Sequence, residues 1–381
     1  MSCPLVPRMR FKQRVRRREQ PECSNSWIFD DSECPEDEEW KNFNTNAAEA
    51  YKRESCSAIG TINGGADNAG AELHRNHQLH FIGTGSAEPT KYRGPSAIML
   101  QVVGSRVLLE AGENTVGALE FLRGKELATN DLYELSCILI SHSHADHILG
   151  LPSIVRKWQA LHAGDDNKLA NDQNRHTLTV VGPSSAEKLL DAFGLLDGGN
   201  VHFNRWAFGQ EQVLNRCVSV HSVQVKHIPE AAGFWIGCRE DGSAASEGAV
   251  SVGFSGDCRP STDLMQLFRT RTTDIVVHEA TFEDNMQQHA TKKKHCTVSE
   301  ALSIAAGARP RHGVVLTHFS QRYPGVPHMP RDMPVIPAFD GLTLCVNEIG
   351  TLASKIDLID IALAKESDDE QREQQLEDTQ T

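Results

Sequence analysis

The run Ser141-His142-Ser143-His144-Ala145-Asp146-His147 constrains this chain more than any other stretch. Three imidazoles and a carboxylate stand within six residues, directly after the apolar, strand-like segment Cys137-Ile138-Leu139-Ile140. On an extended backbone residues i and i+2 point the same way, so His142 and His144 are expected to leave the strand end on one side. Asp146 and His147 fall where a helical pattern opens (Ile148-Leu149-Gly150-Leu151) and so face a second point. The arrangement suits two neighbouring cations better than one. His and Asp ligands with open positions are the make-up of catalytic zinc, which lowers the pKa of a bound water to about 7.

The totals exclude several classes. The ten cysteines are scattered with no CxxC pair, which argues against a zinc ribbon and against a disulfide scaffold, and favours a reducing compartment. No apolar run approaches the roughly 18 residues that cross a membrane, and no signal-peptide core is present, so a soluble intracellular protein is expected; nucleus, mitochondrion and cytoplasm stay open. The net charge of −13 is unevenly spread: residues 1–78 hold 11 basic and 13 acidic side chains, and residues 366–381 one basic and seven acidic. That leaves 26 basic and 31 acidic side chains for 79–365, with no broad basic footprint of an autonomous RNA-binding surface. Two divalent cations would nearly cancel this excess.

Composition divides the chain into three parts. Residues 1–78 run from a basic stretch (Arg8–Arg18) through an acidic one (Asp30–Glu39) to a Gly-rich segment, and bury too little apolar surface to offset ordering entropy, so a disordered leader is expected. Residues 366–381 read as an acidic disordered tail. Between them, 79–365 alternates strand-length apolar runs (79–82, 97–103, 106–109, 137–140, 178–181, 217–225, 250–254, 274–277, 313–317) with helical periodicity at 115–123, 148–161, 185–194, 262–269 and 297–307. Residues 164–175 read as a surface loop. Strands clustered at both ends with helices between them imply an α+β chain with two sheets and helices outside, a four-layer αββα sandwich.

Four of the apolar runs end in an ionisable residue. His227 follows Val218–Val225; Asp257 stands where Val250–Phe254 breaks at Gly256; His278-Glu279 ends Ile275–Val277; His318 ends Val314–Thr317. Taken alone, Asp257 would be a turn former. His295 lies in the loop before the helix opening at Thr297, a plausible N-cap. Together they form the pattern that a metal site at one edge of a sandwich requires.

At this point the chain resembles the metallo-β-lactamase-fold hydrolases, and within them the tRNase Z family that matures tRNA 3′ ends. The histidine run identifies only the superfamily. The narrower likeness rests on Phe81–Ala87 with Pro89 and Arg93, on Phe254-Ser255-Gly256-Asp257, on His278-Glu279-Ala280-Thr281 (similar to the family's HEAT segment), on His295-Cys296-Thr297 (its HST loop) and on Thr317–Tyr323. The resemblance implies a dinuclear zinc centre: His142, His144 and His227 on one ion, Asp146, His147 and His318 on the other, Asp257 bridging. It also implies that Asp146 orients the attacking hydroxide, and that Glu279 and His295 form a pair that protonates the departing 3′ oxygen.

The chain departs from the family pattern at Glu110, where the family has an Asp behind the ligands, at Ala118 in place of Gln, and at Cys296 in place of Ser. A change behind the ligands costs about 10–100-fold in metal affinity or activity, so Glu110 puts full activity in doubt. His227 and Asp257 are only thirty positions apart, too close for the long basic arm of the short enzymes. The body therefore resembles the catalytic C-terminal half of the long form, and no arm-bearing half is expected ahead of it. The resemblance implies an endoribonuclease that cuts the 3′ trailer from precursor tRNA and leaves a 3′-hydroxyl. A homodimer or an arm-bearing partner would supply the grip on the tRNA. The rivals are a hydrolase of small phosphodiesters or thioesters, and a weakened homologue that serves as a binding subunit.

Overall fold

The computed structural model describes residues 77–89, 93–102, 105–163, 176–239, 250–321, 329, 333–349 and 353. The expected leader up to residue 76, the loop 164–175, the polar loop between His227 and Asp257 from 240 to 249, and the acidic tail lie outside the described residues. Gln78, placed last in the leader by composition, is the first residue of the first strand.

All nine apolar runs become strands, in two sheets of seven. In the first sheet β1 (Gln78–Gly83), β2 (Ala97–Val102) and β3 (Ser105–Leu109) run antiparallel. From β3 onward, β4 (Leu135–Leu139), β5 (Leu178–Gly182) and β6 (Val201–Arg205) are parallel, and β14 (Thr343–Cys345) closes the other edge against β1. In the second, β7 (Glu211–Val213), β8 (Val218–Gln224), β9 (Ala232–Cys238) and β10 (Val250–Phe254) are antiparallel, and β11 (Ile275–Glu279), β12 (Gly313–Thr317) and β13 (Val335–Pro337) continue parallel to β10. Parallel neighbours need long crossovers, and helices supply them. They are α1 (Thr115–Arg123), α2 (Lys125–Tyr133), α3 (Ala145–Ile148), α4 (Leu151–His162) and α5 (Ser184–Ala192) in the first half, and α6 (Thr262–Thr270), α7 (Gln287–Lys293) and α8 (Val298–Ala308) in the second.

Strand side chains alternate between faces, and the alternation sorts the apolar residues into three cores. Phe81, Ile98, Leu100, Val107 and Leu109 meet Val220, Phe234, Phe254, Val277 and Val315 between the sheets. Met99, Leu108 and Ile138 point the other way, against Ile154, Trp158 and Leu190 of the helices. Val276, Val314 and Leu316 pack on Leu264, Phe268 and Ala305. Three cores between layers are what a four-layer αββα sandwich has.

The structure corrects some details. The helix expected over 148–161 is two helices, because the chain turns at Gly150, whose N–H donates to the Ala111 carbonyl at 2.8 Å. A β-carbon on Gly150 would meet the Gly112 oxygen at 2.1 Å. The strands β6, β7, β9, β13 and β14 and the helices α2 and α7 were not among the expected elements. No helix among the described residues is long and apolar enough to cross a membrane.

The loop after β1 is fastened from the far end of the chain. Thr84 donates its N–H and hydroxyl to Asp340 Oδ1 at 2.9 and 2.7 Å, and the Gly94 N–H reaches Oδ2 at 2.6 Å. Arg93 reaches the Thr84 hydroxyl and the Ala338 carbonyl at 2.6 and 2.9 Å and lies over the Phe319 ring. Asp340→Asn keeps the size but turns an N–H toward the Gly94 N–H. A stability loss of about 1–3 kcal/mol is expected by denaturant titration, the cost of leaving a buried donor unmade.

Candidate metal centre

The centre lies at the C-terminal ends of strands from both sheets. β4 ends at Leu139, with the Ile140 N–H still donating to the Val181 carbonyl of β5 at 2.8 Å, and His142 and His144 follow in the loop just past the strand end. This loop is held by the Ala232 N–H, at the start of β9, which donates to the Ser141 carbonyl at 3.0 Å, and by the Trp206 indole, which donates to the Ile140 carbonyl at 2.8 Å. Asp146 and His147 ride on the single turn of α3. His227 follows β8, Asp257 follows β10, Glu279 ends β11 and His318 follows β12. Gly256 has φ +56°, and a β-carbon there would press on the Ala232 oxygen and the Ser141 β-carbon at 2.6 and 2.8 Å, so only glycine lets Asp257 turn inward here.

The seven side chains converge in two groups. His142, His144, His227 and Asp257 have donor atoms within 4.8 Å of one another, and so do Asp146, His147 and His318. Nε2 of His142 stands 3.0 Å from Nδ1 of His144, which is 3.1 Å from Nε2 of His227. The Nε2 atoms of His147 and His318 face each other at 3.1 Å. Nitrogens about 2.0–2.1 Å from one tetrahedral ion stand about 3.3 Å apart, so this crowding is the spacing of a ligand set. Asp257 lies between the groups: Oδ2 is 3.5 Å from His142 Nε2 and 3.3 Å from His147 Nε2, and Oδ1 is 3.3 Å from His318 Nε2.

The outer nitrogens are held elsewhere, which fixes what the inner ones can do. His142 Nδ1 meets the Ser141 hydroxyl at 2.9 Å, and His318 Nδ1 the Thr281 hydroxyl at 2.9 Å. His227 Nδ1 donates to the Lys294 carbonyl at 3.0 Å, while the Lys294 ammonium donates back to the His227 carbonyl at 2.6 Å. With Nδ1 a donor, His227 Nε2 is a bare lone pair, the form a cation takes. Thr281, Ser141 and Lys294 had no assigned role in the sequence reading. Ser141 and Thr281 lay inside stretches already singled out, but only the folded chain brings them and Lys294 to the imidazoles.

Electrostatics agree with a cation-binding role. Burial lowers His142, His144 and His227, which stay neutral. Burial would raise Asp257 and Asp146, but His147 and the other imidazoles against them hold both carboxyls below the usual range. Against its own burial, His147 is raised well above the ordinary imidazole value by Asp257, Asp146 and Glu110. Three buried carboxylates around one imidazole demand positive charge.

Glu110 is fully buried, with φ +64°, and stands behind the ligands. Oε2 is 3.4 Å from His147 Nδ1, and both oxygens accept from the Ser141 N–H at 3.2 Å. Its carboxylate thus stands behind His147, at the position where the resemblance implies an Asp.

Glu279 and His295 sit beside the two groups. Glu279 Oε1 accepts from the Cys258 N–H and meets His295 Nδ1, both at 2.9 Å; Oε2 accepts from the Thr281 N–H at 3.1 Å and its hydroxyl at 2.6 Å. His295 also comes within reach of Asp257 and His318, but its Nδ1 is engaged by Glu279. Burial would lower His295; Glu279 overrides it and raises the imidazole to about 9. Arg259 donates to the His295 carbonyl at 2.5 Å and pairs with Glu300, the residue that completes the capping box with Thr297 at the start of α8.

Residues 77–324 match the family model described as Anti-Pycsar protein Apyc1. Among curated proteins, "Ribonuclease Z, mitochondrial" of Drosophila melanogaster is 33% identical over 278 residues, covering 71% of this chain and 35% of that protein. The Homo sapiens "Zinc phosphodiesterase ELAC protein 2" is 28% identical, covering 73% and 34%. The chain thus spans about a third of the length of these relatives. Among solved structures, a long form RNase Z from yeast superposes with a TM-score of 0.66 at 24% identity, covering 79% of this chain and 46% of that one. The metallo-beta-lactamase fold protein YhfI from Bacillus subtilis follows at 0.50 and 17%, covering 70% and 99%. The sandwich is therefore the metallo-β-lactamase fold, and the chain is a homologue of proteins named ribonuclease Z.

If Glu110 orients His147, Glu110→Gln should weaken divalent-metal binding by about 10–100-fold with the fold intact, read by competition with a chromophoric chelator and by circular dichroism.

Proposed function

The chain belongs to the family whose model is described as Anti-Pycsar protein Apyc1, and from its site and its relatives named ribonuclease Z we propose that it is a zinc-dependent phosphodiesterase, an endoribonuclease that removes the 3′ trailer from precursor tRNA. The observation that carries this reading is the Glu279–His295 pair at 2.9 Å beside a double His/Asp cradle, in a chain whose relatives are named ribonuclease Z. Zinc fits the donor set of imidazoles and carboxylates, and one relative carries zinc in its name. One ion would be held by His142, His144 and His227, a second by Asp146, His147 and His318, and Asp257 would touch both.

Two such ions polarise a phosphodiester and supply a nucleophilic water at neutral pH. The protein's own groups do the rest. Asp146 Oδ2 accepts from the Ala87 N–H at 2.6 Å, which fixes the carboxylate at the mouth of the second group to orient the attacking water. As the bond from phosphorus to the 3′ oxygen breaks, His295 delivers a proton to that oxygen from the ring nitrogen not engaged by Glu279, and the tRNA leaves with a 3′-hydroxyl. Glu279 holds the imidazole in its protonated form. Neighbouring cations act on His295 in the opposite direction.

Substrate capture needs more than this body supplies. Residues 79–365 carry five more acidic than basic side chains, so a homodimer or an arm-bearing partner is proposed to grip the tRNA, and a monomer should bind precursor tRNA weakly with a shallow salt dependence. A second reading, hydrolysis of a small phosphodiester, is favoured by the match to a family model whose description is not a ribonuclease.

His295→Ala is expected to keep its metal while cleavage of precursor tRNA falls roughly 10²–10⁴-fold. Normal cleavage by this variant, or loss of its metal, would overturn the assigned role. Elemental analysis of the wild type should find close to two zinc ions per chain besides any held on sulfur, with at least one lost in Asp257→Ala. Turnover of bis(p-nitrophenyl) phosphate without any cleavage of precursor tRNA would favour the second reading.

A further inference from the structure

Three adjacent residue pairs are divided between two clusters. Asp257, Glu279 and His295 belong to the centre described above; their neighbours Cys258, His278 and Cys296 turn away from it and meet each other. All three are fully buried, and one donor atom of each lies within 4.8 Å of the others. On β11 this division follows from the strand itself, because successive side chains point to opposite faces.

His278 is the residue that asks for a ligand. Its Nδ1 is 2.7 Å from the Glu279 carbonyl oxygen, an acceptor, so that nitrogen carries the proton and Nε2 is a bare lone pair. No hydrogen bond reaches Nε2, although it is wholly buried. Buried polar atoms are almost always satisfied, so an orphaned nitrogen on an imidazole grouped with two thiols calls for a partner. An outer N–H fixed by a carbonyl and a bare inner nitrogen is how metal-bound histidines are held. Thiolate sulfur with imidazole nitrogen selects thiophilic ions.

We propose that Cys258, His278 and Cys296 form a separate buried zinc site that staples, from behind, the three segments carrying Asp257, Glu279 and His295. Uptake of one Zn²⁺ forms bonds to the two sulfurs and to His278 Nε2 and releases both thiol protons to solvent. The two thiolates cancel the charge of the ion, so the complex is neutral, as full burial requires. The Cys296 thiol gives up one hydrogen bond, to the Cys258 carbonyl at 3.1 Å, and that oxygen is left beside the ion as a fourth donor. Serine at position 296, the residue found in this place in the tRNase Z family, would remove one sulfur while keeping a side chain of similar size.

The His/Asp centre contains no sulfur ligand, so zinc–sulfur scattering that is lost on replacing Cys258 or Cys296, and kept on replacing the other cysteines of the chain, reports this site. Zinc-edge X-ray absorption of the full-length, zinc-loaded protein should show sulfur at about 2.3 Å. Cys258→Ala and Cys296→Ser should each abolish that signal and lower the metal content by one ion per chain. If these variants fail to fold, a wild-type spectrum without sulfur still overturns the proposal on its own. A wild-type spectrum fitted by nitrogen and oxygen only, or a disulfide joining Cys258 and Cys296 found by mass mapping, would overturn the proposal. A chain holding zinc on sulfur alone would leave this site standing and sink the dinuclear reading instead.

Discussion

One buried carboxylate, Asp257, stands within 3.3–3.8 Å of the Nε2 atoms of His142, His147, His227 and His318, and the rest of the centre is arranged around the charge this gathers. With Asp146 and Glu110 it forms a concentration of negative charge that the interior tolerates only against cations. The ring is contributed by both halves of the sandwich. His142 to His147 come from the end of a strand in one sheet, and His227, Asp257 and His318 from strand ends in the other. The centre therefore exists only when the two sheets are packed face to face. The core of Phe81, Leu109, Phe234, Phe254 and Val277 is what holds the two sets of ligands in register.

Precision comes from groups that never face the reacting atoms. Ser141, Thr281 and the Lys294 carbonyl hold the outer nitrogens of His142, His318 and His227, and Glu110 stands behind His147. Three residues of this assembly, Glu110, Lys294 and His318, adopt left-handed backbone at φ +64°, +63° and +61°. Non-glycine residues rarely do so, and such strain persists only where the surroundings over-determine it. Lys294 also links the two halves of the chemistry, because the residue that clasps His227 directly precedes His295. A shift of the His295 loop would be felt at His227.

The strand ends could be read in advance because the signal is local. A buried strand is an apolar run, and an ionisable residue just past it is visible without any neighbour. β9 was invisible for a physical reason: Ala-Gly-Phe-Trp-Ile-Gly-Cys is buried on both faces, so it does not alternate, and Gly233 and Gly237 look like breaks. Gly233 answers to tertiary neighbours, Gly237 to its own strand. A β-carbon at Gly233 would run into Leu264 of α6 and the Ser255 oxygen within 3 Å, and one at Gly237 into the Trp235 ring. Glu110 could not be placed in advance, since the reach of one extra methylene depends on the backbone, which sets its Oε2 3.4 Å from His147 Nδ1.

The amino-acid order by itself determined the layer architecture and singled out the seven candidate ligands, because periodicity and residue type at strand ends are properties of short segments; the Glu279–His295 pair was implied only by the family resemblance. Only the tertiary structure decided which nitrogen of each imidazole faces inward, which carbonyl and hydroxyl hold the other, and that Cys258, His278 and Cys296 meet. Those outcomes depend on distances between segments up to 171 positions apart, as between His147 and His318, and such distances are set by the packing of one sheet on the other.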